Sequence, residues 1–324
     1  MMERELTGLT PPIGAAPAAD IRLLQATEAV ALSCSRLAGR GDQERVKEQA
    51  AAAMLPALEE TGVGSRVVLS PQGEGVLSVG STIGSPDLHE ADLAVYPVEG
   101  AGLVARGQPG AISVVVSADP GGFQSVPAVA YVDKVVVGPA ARGAIDLDDT
   151  VADNLRRVAF SRDARVADLT VAILDRPRHQ DLIEEVRAAG ARILSLEEGD
   201  IAGALLACVD GTGVDAMMGI GGIQEAVMAA AAVRCVGGDL QCRLWMRNDE
   251  ERILAGADAE RRYGAADLVS GDVAVAITGL TGGLLLRGVH YGSAWADSWS
   301  LLMSTRTSSV RRIETRHHLM VGTD

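Results

Sequence analysis

From about Asp148 onward the chain alternates strand-like apolar runs with helical patterns, and no other feature constrains its fold as much. The strand-like runs fall at 170–174, 192–196 and 214–220, separated by helical patterns near 179–189 and 200–208. Parallel strands need a crossover connection, usually a helix, so this alternation predicts a βαβ layer. The last run continues into Met218-Gly-Ile-Gly-Gly-Ile-Gln-Glu225, which ends a strand and opens an alanine-rich helix. Such a junction points free backbone N–H groups and the positive end of a helix dipole at whatever binds there. Taken alone, it is a weak phosphate signal.

The first half reads differently. Residues 1–19, rich in Pro, Ala and Gly, read as a flexible arm, with Asp20 as N-cap of a helix over 21–37. A Gly39-Arg-Gly-Asp42 turn leads into a second helical pattern that runs to about Glu60. Short β-rich runs follow at 66–70, 92–96, 111–117 and 134–137, punctuated by Gly and Pro. Further strand-like runs at 273–277 and 309–314 return near the C-terminus. The division is therefore an arm (1–19), an α+β lobe (20–147) and an α/β lobe (148–324).

Composition narrows the partners. With 48% apolar residues among 324, the chain can bury a large core. A formal charge of −14 argues against nucleic acid and anionic membranes, which demand basic surface, so an anionic ligand needs a local basic pocket. The cysteines Cys34, Cys208, Cys235 and Cys242 form no CxxC pair, and unpaired thiols suit an intracellular chain. No apolar run approaches a membrane span, and the N-terminus lacks the order of a secretion signal. A cytoplasmic location is expected. His89, His179 and His290 are scattered, and the adjacent His317 and His318 would face opposite ways on a strand, so no histidine metal site is expected.

An ordered set of segments carries more information than any one of them. The set comprises Leu37-Ala-Gly-Arg-Gly-Asp42, Asp175-Arg-Pro-Arg-His179, Glu198-Gly-Asp-Ile-Ala202, Met218-Gly-Ile-Gly-Gly222 with Glu225, Ala276-Ile-Thr-Gly279 and Val310-Arg-Arg-Ile313. In this order, from about residue 21 to 319, the chain resembles the class II fructose-1,6-bisphosphatases, a family of lithium-sensitive, magnesium-dependent sugar phosphatases. The resemblance implies a layered αβαβα sandwich of two packed lobes, a sugar phosphate or bisphosphate as small-molecule partner, and a homo-oligomer, dimer or tetramer. It places substrate contacts at Glu99, Gly100, Tyr131, Arg176, Arg178, Glu198, Asp200 and Gly222. On spacing alone the Arg176/Arg178 pair also reads as a solvated strand-end cluster. Within the full set it reads as a bidentate phosphate clamp.

The family's metal cage is where the resemblance fails. Of its five carboxylates, which hold Mg²⁺ or Mn²⁺, Glu99 and Glu225 have matches. The other three positions hold Lys47, Pro71 and Tyr96, and the family's Thr two residues after the matched Glu99 is Ala101. Glu74 offers a shifted substitute at Pro71. No metal ligand is therefore assigned beyond Glu99 and Glu225, and no cofactor is expected unless a residual metal-dependent phosphatase survives, with Glu74, Asp42 or Asp92 recruited. Two carboxylates and Lys47 carry the same net charge as five carboxylates and two divalent cations, so the Lys47 ammonium is expected where a metal stood, with Lys47, Tyr96, Glu99 and Glu225 as catalytic groups. Three functions follow: altered, metal-poor chemistry on a sugar phosphate, a residual fructose or sedoheptulose bisphosphatase, or a non-catalytic sugar-phosphate sensor.

Overall fold

The computed structural model describes residues 18–71, 75–85, 87–124 and 129–319. The strands are β1 (Ser65–Leu69), β2 (Thr82–Ile83), β3 (Ala91–Glu99), β4 (Ile112–Ala118), β5 (Tyr131–Val137), β6 (Thr170–Leu174), β7 (Arg192–Leu196), β8 (Ala216–Gly222), β9 (Asp239–Trp245), β10 (Arg262–Gly264), β11 (Val273–Gly279), β12 (His290–Tyr291), β13 (Trp295–Ser304) and β14 (Ser309–His318). The helices are α1 (Ala18–Cys34), α2 (Gln43–Glu59), α3 (Ala101–Arg106), α4 (Val151–Ser161), α5 (Gln180–Ala188), α6 (Asp200–Cys208), α7 (Ile223–Val236), α8 (Asp249–Ala255) and α9 (Ala265–Leu268).

Two sheets form. One has eight strands in the order β12-β13-β11-β4-β3-β1-β2, with β14 on the free side of β13; the other has six, β10-β9-β5-β8-β6-β7. The expected parallel layer is present where β6 pairs with β7 and β8. The other partners of β8 and β5 run antiparallel, so the second sheet is mixed. The layers follow from where apolar faces are buried. One core joins α1 and α2 to the eight-stranded sheet, a second packs α6 and α7 between the sheets, and a third sets α4 and α5 against the outer face of the six-stranded sheet. This is the αβαβα sandwich. The two middle helices are rich in small residues: the stretch 229–232 of α7 is four alanines, and every residue of α6 is buried.

Local signals place most ends. Asp42 caps α2 by accepting from Arg45 N–H at 2.9 Å, and Thr150 caps α4 through Asp153 N–H. Helix α1 starts at Ala18, so Asp20 lies in its first turn rather than at its cap. Of the expected arm, residues 1–17 lie outside the described residues. A division at 147 falls within the stretch that supplies the six-stranded sheet, because β5 belongs to that sheet. Strand β13 was not anticipated, since its Ser and Leu residues and its two tryptophans blur the period-two pattern. The four cysteines are free and buried, and no described helix is long and apolar enough to cross a membrane.

Candidate functional site

A cleft of about 940 Å³ opens between the two sheets. Its floor is acidic. Strand β3 supplies Tyr96 and Glu99, and its register against β4 shifts between them. Gly100, at φ 84°, then turns the chain into α3. Glu99 reaches across to the start of α6, where its two oxygens accept from Ile201 N–H (2.6 Å) and Ala202 N–H (2.8 Å). A carboxylate there satisfies two orphan donors and meets the positive end of the helix. Burial nevertheless outweighs the two amides, and with Asp200 and Glu225 nearby it pushes the Glu99 carboxyl up to about 8.

Beside Glu99 lies an ion pair that the sequence did not announce. Lys134 of β5 is 1% exposed, and its Nζ sits 2.7 and 2.9 Å from the two carboxylate oxygens of Asp200, itself buried. Gly221 makes room for the pair: a Cβ there would lie 1.8 Å from Asp200 Oδ2 and 2.3 Å from Lys134 Nζ. Gly222 does the same for Glu225, whose Oε2 would be 1.9 Å from a Cβ at that position. The glycines of the strand-to-helix junction thus clear space for acidic side chains. Tyr96 Oη donates to Glu225 Oε1 at 3.1 Å. Burial raises the Tyr96 phenol far above its ordinary value, helped by the Glu225 and Glu99 charges, and burial raises Glu225 as well.

The opposite wall is basic and aromatic. Arg178 is anchored by donating to Ile220 C=O (2.9 Å from Nη2) and lies over the Tyr131 ring, 5.2 Å from its centroid. Arg247 lies 5.3 Å from the same ring, and its Nε donates to Glu251 at 2.8 Å. Tyr131 is held edge-on by Trp245, ring centroids 6.1 Å apart. Arg176 also lines the cleft, its guanidinium donating to Asp175 C=O. Two guanidiniums over one aromatic platform, with a third on the cleft wall, suit a phosphate or another oxyanion. Behind them, buried His179 is locked as the neutral tautomer: Nδ1 meets Leu174 C=O at 2.7 Å and Nε2 accepts Ile220 N–H at 2.8 Å. Burial lowers its basicity, and its two bonds tie the end of β6 to Ile220 of β8, the residue whose carbonyl anchors Arg178.

The structure brings together Tyr96, Glu99, Gly100, Tyr131, Arg176, Arg178, Glu198, Asp200, Gly222 and Glu225 around one cleft. Glu198 turns partly aside, pairing with Arg106 at 3.0 Å. Lys47 is not part of the cluster. It is 47% exposed, pairs with Glu44 at 2.8 Å one turn back on α2, and does not line the cleft, so the expected ammonium in place of a metal is not found there. Its helix turns that position to solvent while Val46 and Ala50 face the core. Pro71 is exposed, Ala101 is buried as the first residue of α3, and Gln72, Gly73 and Glu74 lie outside the described residues. Asp42 is spent on its helix cap and Asp92 on His89 and Gly121 N–H. Lys134, Arg247 and Glu251 were missed. A lysine amid Val-Asp-Lys-Val reads as solvent-facing on a strand, and only the pairing of β5 with β8 sets it against α6.

Among the described residues no group of three or more His, Cys, Asp or Glu converges to hold a metal ion. The acidic oxygens on the floor already have donors: amides for Glu99, a phenol for Glu225 and an ammonium for Asp200. As arranged, these residues do not fit a pair of hard divalent cations, which want several free carboxylate oxygens.

Residues 18–317 match the family model described as bacterial fructose-1,6-bisphosphatase, glpX-encoded. The chain is 35% identical over 334 aligned positions to a D-fructose 1,6-bisphosphatase class 2/sedoheptulose 1,7-bisphosphatase of Synechococcus sp. (strain JA-3-3Ab), covering 92% of this chain and 94% of that protein. It is 34% identical to fructose-1,6-bisphosphatase 1 class 2 of Escherichia coli (strain K12), covering 92% and 95%.

Proposed function

Because the chain belongs to the bacterial class II fructose-1,6-bisphosphatase family, we propose that it binds a sugar bisphosphate between its two sheets and acts on it as a phosphoric monoester hydrolase. Membership corrects one expectation, since the class II relatives are metal-dependent phosphatases and the absence of any cofactor is not to be expected. Fructose 1,6-bisphosphate and sedoheptulose 1,7-bisphosphate, named for the relatives, are the first substrates to try.

The observation that carries the reading is the facing of two walls across one cleft. Arg176, Arg178 and Arg247 with Tyr131 supply charge-assisted donors and a flat surface for a phosphate and its sugar. Opposite them, burial raises the Glu99 carboxyl and Asp200 pairs with Lys134, a floor of weakened acids and one buried cation that suits hydrogen bonding to sugar hydroxyls. A second reading, binding with slow or no turnover, is favoured by Tyr96, which stands where the family has an Asp and occupies Glu225.

One experiment separates the two. Phosphate release is followed with each bisphosphate over a series of Mg²⁺ and Mn²⁺ concentrations, alongside calorimetry of binding. Binding with turnover that a chelator abolishes supports the hydrolase, and binding without turnover supports the sensor. Arg178→Ala should weaken binding by roughly 1.5–3 kcal/mol, the range for hydrogen bonds to charged groups. Unchanged affinity in that variant would remove the clamp from the proposal.

A further inference from the structure

Behind the arginine wall lies a second cavity, of about 320 Å³, on the outer face of the six-stranded sheet where α4 and α5 cover it. Alternation along β5 sets what its floor presents. Lys134 turns to the inner face, where it meets Asp200, so Asp133 and Val135 turn to the outer one. Val135 joins the core beneath α4 and α5, and Asp133 is left half-buried on the cavity lining. The register of β5 with β9 puts Arg243 opposite Asp133, but Arg243 reaches away to Asp148 (2.9 Å). Among the described residues Asp133 forms no ion pair. Burial raises its carboxyl, and the Arg243 charge opposes this only in part.

The walls around that carboxyl are apolar. Leu147, Val151, Leu182, Met218 and Trp245 supply them, and Leu147, Val151 and Leu182 are only partly buried, so apolar surface is left facing the cavity. A small, mostly apolar hollow with one polar group inside it is the usual make-up of a small-molecule pocket. The charges on the lining favour one sign. Asp133 lies within, and Asp149 and Glu185 are exposed beside it, Asp149 paired with Arg157 at 2.7 Å. The cations nearby are committed elsewhere: the Arg178 guanidinium to Ile220 C=O and the Tyr131 ring, and the Lys134 ammonium to Asp200 on the far side of the sheet. His179, on the same lining, is neutral with both ring nitrogens bonded. A phosphate that the arginine wall attracts would meet a carboxylate here.

We propose that this cavity is a second ligand site, separate from the cleft, which takes a small organic cation: a primary amine or a guanidinium carried on an apolar body. The charged head sits on Asp133 and makes the ion pair that Arg243 leaves open. The body lies against Val151, Leu182 and the Trp245 indole, covering the apolar surface left there, and the aromatic wall adds its own attraction for a cation. Arg178 stands on the lining of both cavities, so the amine binds directly behind the arginine clamp. The site does not depend on what the cleft binds or whether it turns over.

Calorimetry on the full chain with benzylammonium as the probe, at low salt and about pH 8 where the amine is charged, tests this. It should bind with a dissociation constant of about 1 mM or tighter. Benzyl alcohol, of the same shape without the charge, should bind about tenfold or more weakly, and Asp133→Asn should bring the amine down to the alcohol's level. Val151→Trp, which fills the mouth of the cavity, should weaken the amine as much without touching the carboxyl. Glu225→Gln, on the acidic floor of the cleft, should leave its affinity within about twofold. Melting curves confirm that each variant is folded. No binding, equal affinity for amine and alcohol, or indifference to both Asp133→Asn and Val151→Trp would overturn the proposal. So would loss of binding in Glu225→Gln alone, which would seat the amine in the cleft.

Discussion

At the residue scale, two lysines exchange the roles that the sequence suggested. Lys134→Met should cost on the order of 3–5 kcal/mol, because it leaves the Asp200 carboxylate buried and unpaired beside Glu99 and Glu225. Lys47→Met should change stability by less than about 0.5 kcal/mol, the worth of an exposed pair three residues apart on a helix. Denaturant unfolding of both variants measures the contrast, and comparable effects would contradict the placement of these side chains. Arg178, Asp200 and Glu225 were legible because they sit in ordered motifs, and Tyr131 only through the resemblance. Lys134 was not, because burial of a lone lysine depends on a partner 66 residues away. Glu99 adds a pH dependence. Its folded value of about 8 stands above the ordinary 4.5, so between these limits the folded protein holds a proton that the unfolded chain has released. Its contribution is therefore fully present below about 4.5 and is lost as pH rises through about 8. Glu99→Gln loses one amide contact at every pH but cannot ionise, so relative to wild type it should gain stability from pH 5 to 9, by on the order of 4 kcal/mol. Melting curves across that range give the difference directly, and a flat difference would mean that Glu99 is ionised throughout.

At the element scale, the junction of β8 and α7 shows what motif reading captured and what it did not. The strand, the turn into the helix and the acidic Glu225 were all apparent in Met218-Gly-Ile-Gly-Gly222. The reason for the glycines was not, because it lies in side chains from β5 and α6 at Gly221 and in the folded-back Glu225 of α7 at Gly222. Gly221→Ala should force Asp200 and Lys134 apart and destabilise by about 1–3 kcal/mol, with weaker binding of any bisphosphate. Gly282→Ala, whose added Cβ would meet its nearest neighbour at an ordinary 3.6 Å, is the control and should stay within about 0.5 kcal/mol. Equal effects would show that the junction tolerates a side chain and that the ion pair is loosely held. β6, β7 and α6 were read at their true limits; apolar stretches mark the buried β6 and α6, while the half-exposed β7 is bounded by Gly190 and by the Glu197-Glu-Gly199 run. β13 mixes polar and apolar residues on both faces and is buried along most of its length, so the alternation that exposes a surface strand is missing there. β9 does alternate, with Leu240, Cys242 and Leu244 buried and Asp239, Gln241 and Arg243 half-buried between them, and was passed over all the same.

At the scale of the whole molecule, the chain crosses between its sheets instead of completing one and then the other. Strands β1–β4 and β11–β14 share the eight-stranded sheet, while β5–β10 make the other, and α6 and α7 fill the space between. Neither half can detach without opening the shared core, so the protein should unfold in one transition. The cleft is built from both halves, with Tyr96 and Glu99 from one and Tyr131, Arg178 and Asp200 from the other. A ligand spanning it should therefore shift that single transition as a unit. With Mn²⁺ present throughout, fructose 1,6-bisphosphate at about 100 times its dissociation constant should stabilise by ~2.7 kcal/mol. At the same concentration a monophosphate, which leaves part of the cleft unfilled, should stabilise less. Differential scanning calorimetry decides the point. Two resolved transitions of which only one responds would place the ligand on one half alone, and equal shifts from both sugars would mean that the second phosphate finds no partner in the cleft.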